Sequence, residues 1–269
     1  MKQWLLLAAL LMTAPARSAD LVHLYAAGSL RDALDETRAA FTQATGITVE
    51  AKYGPSGLLK DEIVGGANAD VFASANMDHP QALARAGKGG PVVLFARNRL
   101  CALVRPGLAV DQTTLLDRIL DPAIKLGTST PKSDPSGDYA WDVFRKADAL
   151  RPGAFATLSS KALQLMGGPN SPPALPGRVL YGALVADGKA DIFLTYCTGA
   201  RAAQRENPDQ HTVEFPEALA VGADYGLTVT PTAAPAAYRF AMFILSDGQR
   251  ILANQGFVPT NLPSSAAAR

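Results

Sequence analysis

The chain has 269 residues, of which 48% are hydrophobic and 18% are charged, and its formal net charge at neutral pH is +1. This length and apolar content allow one or two domains with a substantial core. The small net charge, without a cluster of lysine or arginine, argues against a nucleic acid as a partner.

The first residues have the character of an export signal. Lys2 precedes an apolar run at residues 5–12, and Ala16 and Ala19 each end a short stretch that contains small residues. The run is too short to span a bilayer. We therefore expect a periplasmic protein that is cleaved after Ala16 or Ala19, and we leave residues 1–19 out of the predicted fold.

Strand-like and helix-like patterns alternate after this segment. Strands are predicted at 21–26, 47–53, 71–75, 92–95, 99–104, 125–128, 192–196 and 225–229. Helices are predicted at 30–44, 58–64, 80–86, 114–119, 139–149, 159–165, 178–186, 238–245 and 249–254. Such alternation is typical of an α/β protein with mostly parallel sheets.

Two segments of the chain resemble each other. Residues 64–75 and 185–196 each contain the end of a helix, a glycine turn, Ala-Asp and an apolar strand. Connections between helices and strands often have this pattern, but the similarity of the two segments is also consistent with two lobes of similar fold. On the second interpretation, lobe 1 comprises residues 20–103 plus 229–269, and lobe 2 comprises residues 104–228. The proline-rich stretch at 167–176 is predicted to be a surface loop.

Three serines recur at similar junctions. Ser29, Ser56 and Ser136 each lie beside a glycine where a strand pattern, directly or after a loop, gives way to a helix pattern. The first N–H groups of a helix lack partners and carry partial positive charge, so small residues and a hydroxyl there can form an anion site. Serine is also a common helix cap, and Ser29 with Asp32 has capping-box spacing. Spacing alone leaves both interpretations open.

Five segments carry a family resemblance: AAGSLRDAL, YGPSGLLKDEI, ADVFASA, DPSGDYA and the late QGFVP. Together they resemble the periplasmic molybdate-binding proteins of ABC importers, and the resemblance extends over nearly all of the chain after residue 19. It implies a two-lobed periplasmic binding protein type II fold, in which each lobe is a mixed, mostly parallel sheet flanked by helices and two strands cross between the lobes. It also implies a monomer without enzymatic activity or a cofactor, which holds molybdate or tungstate in its cleft and docks on an inner-membrane permease.

The resemblance also implies the ligand contacts. In that family the first lobe binds the anion through two serine hydroxyls and backbone amides, and the second lobe adds two backbone amides and a tyrosine hydroxyl. The matching positions here are Ser29, Ser56, Ser136, Leu180 or Tyr181, and Tyr196. These groups would contact the oxygen atoms of the oxyanion and would not ligate the metal directly.

The sequence departs from the family pattern near the predicted ligand. Tyr196 is followed by Cys-Thr-Gly-Ala, where the family usually has a Gly/Thr-Ser-Asp-Ala run, and Ser136 replaces a common alanine. Asp134 and Asp138 flank that serine. A site made only of donors favours fully deprotonated dianions, whereas a carboxylate could accept the proton of hydrogen phosphate. A sulfate, phosphate-like or iron-type ligand on the same fold therefore stays an alternative.

The two cysteines, Cys101 and Cys197, both lie in apolar strand-like runs. Two buried free thiols are the favoured interpretation, and a disulfide formed after export is the alternative.

The sequence argues against an exported hydrolase, so the rival of the molybdate interpretation is another binding protein on the same fold. Ser129 and Lys132 have the S-x-x-K spacing of penicillin-recognising enzymes, but Pro131 interrupts the motif and its partner motifs are missing. His23, His79 and His211 lack the spacing of metal ligands. We therefore predict a binding protein and no enzyme.

Overall fold

The computed structural model describes residues 21–172 and 178–260. Its strands are β1 (Leu21–Ala27), β2 (Thr48–Gly54), β3 (Val71–Ser74), β4 (Val93–Val104), β5 (Leu126–Ser129), β6 (Leu163–Met166), β7 (Ile192–Tyr196), β8 (His211–Glu214), β9 (Gly222–Val229) and β10 (Val258–Pro259). Its helices are α1 (Arg31–Thr45), α2 (Ser56–Val64), α3 (Asp78–Arg85), α4 (Leu115–Leu120), α5 (Pro135–Leu150), α6 (Ala154–Lys161), α7 (Leu180–Ala186), α8 (Cys197–Glu206), α9 (Pro235–Leu245) and α10 (Gly248–Asn254). Short 3-10 turns lie at Gly28–Leu30 and Glu217–Leu219.

The strands form one curled sheet in the order β2-β1-β3-β9-β4-β7-β5-β6, and β8 and β10 also pair with β4. The β1–β2, β1–β3, β5–β6 and β5–β7 pairings are parallel. All pairings of β4 are antiparallel. The first part of β4 pairs with β9, and its second part, from Leu100, pairs with β7. This one long strand therefore joins the two ends of the sheet.

Helix α1 shows how the sequence builds the first end of the sheet. Ala33, Leu34, Thr37 and Phe41 recur at helical spacing and are all buried, because they form the face that packs on the sheet. Gly46 ends the helix at a φ of 73°, a left-handed conformation that glycine adopts without cost. As a result, the chain passes from β1 through a short turn into α1, and the first turn of α1 begins beside the predicted anion site.

The predicted fold class is confirmed, with local differences that include the unpredicted strands β8 and β10. Residues 92–95 and 99–104 belong to a single strand, β4. Residues 159–165, predicted as helix, instead contain the end of α6 and most of β6, because residues 163–166 pair with β5. Helix α8 was not predicted. The predominance of antiparallel pairing around β4 also differs from the mostly parallel sheets that the sequence predicted.

Cys101 and Cys197 form a disulfide, with their Cα atoms 4.8 Å apart. The favoured interpretation as free thiols was therefore wrong. The register of the sheet explains the outcome: β4 and β7 are antiparallel neighbours that place Cys101 opposite Thr195, two residues before Cys197. The bond fixes the first residue of α8 to the middle of the sheet.

Two sequence predictions fall outside the described residues, namely the signal segment at 1–19 and the second half of the predicted loop at 167–176. The division into lobes stays a prediction. Strand β9, of which all residues but Val229 were assigned to the second lobe, hydrogen-bonds to β3 and to the first part of β4.

Candidate functional site

Ser29 lies in the 3-10 turn between β1 and α1. Its Oγ is 3.0 Å from the hydroxyl oxygen of Tyr225 on β9. Neither the turn nor α1 has a side-chain cap hydrogen bond, so the capping box with Asp32 that the sequence allowed is not formed. Ser29 is partly exposed. Its hydroxyl is therefore available for a contact outside the chain.

Ser56 is the first residue of α2, directly after Pro55. Its side chain is buried, and its Oγ accepts a hydrogen bond of 3.1 Å from the backbone N–H of Ala75. Like Ser29, it makes no cap hydrogen bond with its own helix. Because Oγ already acts as an acceptor, its hydrogen atom can be donated to another group.

Ser136 lies in the first turn of α5, and Asp134 is the N-cap of that helix. The backbone N–H of Ser136 donates a 3.0 Å hydrogen bond to the carboxylate of Asp134. The amide that the resemblance implied as a ligand donor therefore has a partner within the chain. The hydroxyl of Ser136 is buried and has no protein partner among the described residues. The free donor at this position is the side chain.

Tyr196 ends β7 with its hydroxyl buried and, among the described residues, without a partner. Its ring centroid lies 5.6 Å from that of Tyr225 and 6.2 Å from that of Tyr139. The structure thus connects Tyr196, through Tyr225, with Ser29. No sequence motif marks Tyr225, and it reaches Ser29 only because β9 lies between β3 and β4 in the sheet.

Tyr181, in the first turn of α7, has different ring neighbours from Tyr196. The Tyr181 ring packs on Phe193 at a centroid distance of 5.6 Å. Phe193 belongs to a separate apolar cluster, whereas Tyr196 belongs to the main core. The Tyr181 ring thus packs in that second cluster, while its hydroxyl interacts with Thr195 and lies close enough to Asp134 and Tyr196 to influence their electrostatics. Whether the amides of Leu180 and Tyr181 contact a ligand stays a prediction.

Two hydrogen bonds join the regions around Ser56 and Ser136. The Tyr139 hydroxyl donates to the carbonyl oxygen of Ala75 at 3.2 Å. The amide of Gly57 donates to the carbonyl oxygen of Ser133 at 2.9 Å. The first turn of α2 therefore contacts the loop that leads into α5, and Ser56 and Ser136 lie on either side of this contact.

The hydroxyl groups at this place are neutral donors. Burial raises the pKa values of Tyr196 and Tyr225 well above the ordinary value of tyrosine, and it also raises the pKa of Tyr139. Within the described chain, the hydrogen-bond partners of Ser29, Ser56 and Tyr225 are hydroxyl and amide groups, with no lysine or arginine among them. An anion held here would meet hydrogen-bond donors rather than cationic side chains.

One carboxyl group departs from this neutral character. Desolvation raises the pKa of Asp134 to about 6, although the Ser136 N–H opposes the shift. Desolvation also raises the pKa of Asp138, whose Oδ1 accepts the backbone N–H of Lys132 at 2.8 Å. Two acids thus flank the first turn of α5, and Asp134 changes its charge within the range of mildly acidic conditions.

The sequence also missed Thr128 at this end of the sheet. It is fully buried on β5 with an unpartnered hydroxyl among the described residues. The buried hydroxyls of Ser129 and Thr195 nearby interact with the Asp134 carboxyl group and with Tyr181, respectively. Buried hydroxyls without a partner are uncommon in native proteins and call for an explanation such as a ligand or water. No sequence motif marks Thr128, which lies between Gly127 and Ser129 in β5.

The described part of the chain contains no group of three or more histidine, cysteine or acidic residues suited to a metal ion. Among residues 21–172 and 178–260, no helix has both the length and the apolar character needed to cross a membrane.

Comparison with known proteins then identifies the family. Residues 22–258 match the bacterial extracellular solute-binding proteins. The chain belongs to this family. It is 33% identical over 241 residues to the protein PM1146 of Pasteurella multocida, covering 89% of this chain and 99% of the relative. It is also 30% identical over 150 residues to the molybdate-binding protein ModA of Rhodobacter capsulatus, covering 55% of this chain and 56% of that protein.

A solved structure has the same fold. The sulfate-binding protein SubI of Mycobacterium tuberculosis has a TM-score of 0.73 and 21% identity to this solute-binding protein, covering 93% of this chain and 90% of that one. At this identity the likeness shows the fold alone, that of periplasmic binding proteins. Family membership supports a binding role rather than catalysis, and it leaves the choice of ligand to the site itself.

Proposed function

We propose that this solute-binding protein is the periplasmic receptor of an ABC importer and that it captures a tetrahedral oxyanion, most favourably molybdate or tungstate. The observation that carries the proposal is the pair of serines at the first turns after β1 and β2, each with a hydroxyl that is not used as a helix cap. The anion would lie where these turns meet the first turn of α5.

The chemistry of the lining supports a dianion without a proton. A buried dianion is costly unless each of its oxygens receives hydrogen bonds. Ser29 and Ser56 offer hydroxyl donors from one side, and Ser136 and Tyr196 offer buried hydroxyls without protein partners from the other. These four donors suit an anion whose oxygens are all acceptors.

The contact between the first turn of α2 and the loop before α5 supports capture by closure. The Gly57–Ser133 and Tyr139–Ala75 hydrogen bonds hold the two sides of the site together. An anion that receives donors from both sides would favour this arrangement over an open one, which is a population shift driven by differential contacts. The closed form would then dock on an inner-membrane permease.

A second candidate rests on Asp134. Its carboxyl group is hydrogen-bonded to the Ser136 amide, and a carboxylate can accept the proton of hydrogen phosphate. A phosphate-like ligand is therefore the alternative, and sulfate is the alternative among proton-free anions. The neutral donors favour the proton-free class.

Thermal unfolding against a panel of anions tests the proposal. The purified chain is scanned alone and with molybdate, tungstate, sulfate, phosphate or ferric citrate. A ligand at about 100 times its dissociation constant adds roughly 2.7 kcal/mol to the free energy of unfolding. We expect molybdate and tungstate to stabilise the protein more than sulfate or phosphate. Stabilisation by phosphate alone would support the second candidate, and a flat response to all five would contradict both.

A further inference from the structure

We propose that Tyr225 is a positioning residue that makes the Ser29 hydroxyl a hydrogen-bond donor to the ligand and so selects anions whose oxygens carry no proton. The inference rests on the proposed function and adds a reason for its selectivity. The Tyr225 side chain is fully buried, and its hydroxyl oxygen lies 3.0 Å from Ser29 Oγ.

The direction of this hydrogen bond follows from Asn98, on the other side of Tyr225. The Asn98 Oδ1 accepts the backbone N–H of Arg99 at 2.8 Å, which fixes the orientation of the side-chain amide. The Nδ2 group, which can only donate, then contacts Thr198 Oγ1 at 2.9 Å and the Tyr225 hydroxyl at a longer 3.5 Å. Tyr225 therefore receives a hydrogen from Asn98.

A tyrosine hydroxyl has one hydrogen to give. Asn98 occupies one acceptor position of this oxygen, and we infer that Tyr225 donates its own hydrogen to its other partner, Ser29 Oγ. Burial keeps Tyr225 protonated, because it raises the pKa of this phenol well above its ordinary value. Ser29 Oγ then acts as an acceptor within the chain, and its own hydrogen is left to point away from Tyr225, toward the ligand.

This ordered chain of donors has a consequence for selectivity. A serine with a free hydroxyl can rotate to donate or accept, so it tolerates both bare and protonated ligand oxygens. A Ser29 fixed as a donor would exclude the protonated oxygen of hydrogen phosphate from this position, whereas sulfate, molybdate or tungstate could place any of their oxygens there. Removal of the Tyr225 hydroxyl would release this constraint while leaving Ser29 in place.

Calorimetric titrations of the wild type, Tyr225→Phe, Ser29→Ala and the double variant test the inference. Molybdate, tungstate, sulfate and phosphate are titrated at mildly alkaline pH, where phosphate keeps one proton. We expect Tyr225→Phe to weaken binding of the preferred dianion about tenfold and to lower its preference over phosphate. The double variant should bind like Ser29→Ala, because Tyr225 acts through Ser29. Tyr238→Phe, at a half-exposed surface tyrosine, is the control and should bind like the wild type.

Asn98→Ala provides a second variant, should Tyr225→Phe fold poorly. It removes the donor that orients Tyr225, so the preference over phosphate should again fall. Additive losses in the double variant, or an unchanged preference in both Tyr225→Phe and Asn98→Ala, would overturn the inference while leaving the proposed function intact. A wild type that binds none of the four anions would overturn both.

Discussion

The amide nitrogen of Gly57 lies 2.9 Å from the carbonyl oxygen of Ser133. This hydrogen bond joins the first turn of α2, which carries Ser56, to the loop that leads into α5. The approach requires glycine: a Cβ atom at residue 57 would lie 2.4 Å from the carbonyl oxygen of Lys132 and 2.7 Å from that of Ser133. Both of these oxygen atoms belong to the backbone, which cannot move out of a clash as easily as the end of a flexible side chain can.

Gly57→Ala should therefore hold the two sides of the site apart. We expect weaker ligand binding and a larger radius of gyration at saturating ligand, measured by small-angle X-ray scattering. Gly222→Ala is the matched control, because no atom lies within 4 Å of the added Cβ there. If Gly57→Ala closes and binds as the wild type does, the contact has no role in capture.

Ser136→Ala should separate stability from binding. The Ser136 hydroxyl is buried without a partner among the described residues, and such a group costs about 1–3 kcal/mol. We expect the variant to be as stable as the wild type or more stable in urea unfolding, yet to bind the anion more weakly. Ser160→Ala, at an exposed serine of α6, controls for the substitution. A variant that loses stability and keeps its affinity would show that this hydroxyl serves the fold alone.

The disulfide should contribute strongly to stability. It links residues that are 96 positions apart, and closing so long a loop restricts the unfolded chain. We expect Cys101→Ala with Cys197→Ala to lower the free energy of unfolding by about 2–5 kcal/mol in urea titrations. A reducing agent should destabilise the wild type and leave the double variant unchanged. Equal effects of the reductant on both proteins would argue against the bond.

Binding should depend on pH through Asp134. Its pKa is raised from 3.8 to about 6 in the folded chain, so the folded state holds this proton more strongly than the unfolded state does. The resulting contribution to the free energy of unfolding is lost as pH rises from about 4 to about 6. A bound anion would disfavour the carboxylate further. We therefore expect the affinity for the anion to fall as pH rises through about 6 and the unfolding free energy to fall over the range just below it.

Asp134→Asn is the matched variant for this dependence, because asparagine keeps an oxygen that can cap the Ser136 amide. Its affinity should vary less across the same pH range, measured by calorimetry in buffers of equal ionic strength. Asp138 titrates nearby, and its pKa is raised by burial as well, so Asp138→Asn is measured in parallel. If only the Asp138 variant flattens the profile, the assignment to Asp134 is wrong.

Local patterns explain why much of the fold could be predicted. The strand at 21–26 and the helix at 30–44 are visible because the hydrophobic spacing changes from two to about three and a half residues, and the structure places them within one residue at each end. The serines proposed for the anion site were selected for the same reason, since small residues and a hydroxyl mark these strand-to-helix junctions in the sequence.

Features that depend on long-range pairing could not be predicted. The contact between Ser29 and Tyr225 joins residues 196 positions apart, and it exists only because β9 pairs with β3. The disulfide likewise depends on the register of β4 and β7. Strand β6 has only four residues, partly or fully exposed, and is a strand because it pairs with β5. No local pattern contains this information.

Calorimetric titration of molybdate into the wild type, Ser29→Ala and Ser56→Ala tests the central claim most directly. The account predicts saturable binding of one molybdate per wild-type chain. Each alanine variant should lose about 1.5–3 kcal/mol of binding free energy with the removed hydrogen bond to the anion. Circular dichroism spectra matching that of the wild type would show that the variants are folded. Equal binding by all three proteins would contradict the assignment of these two serines to the ligand.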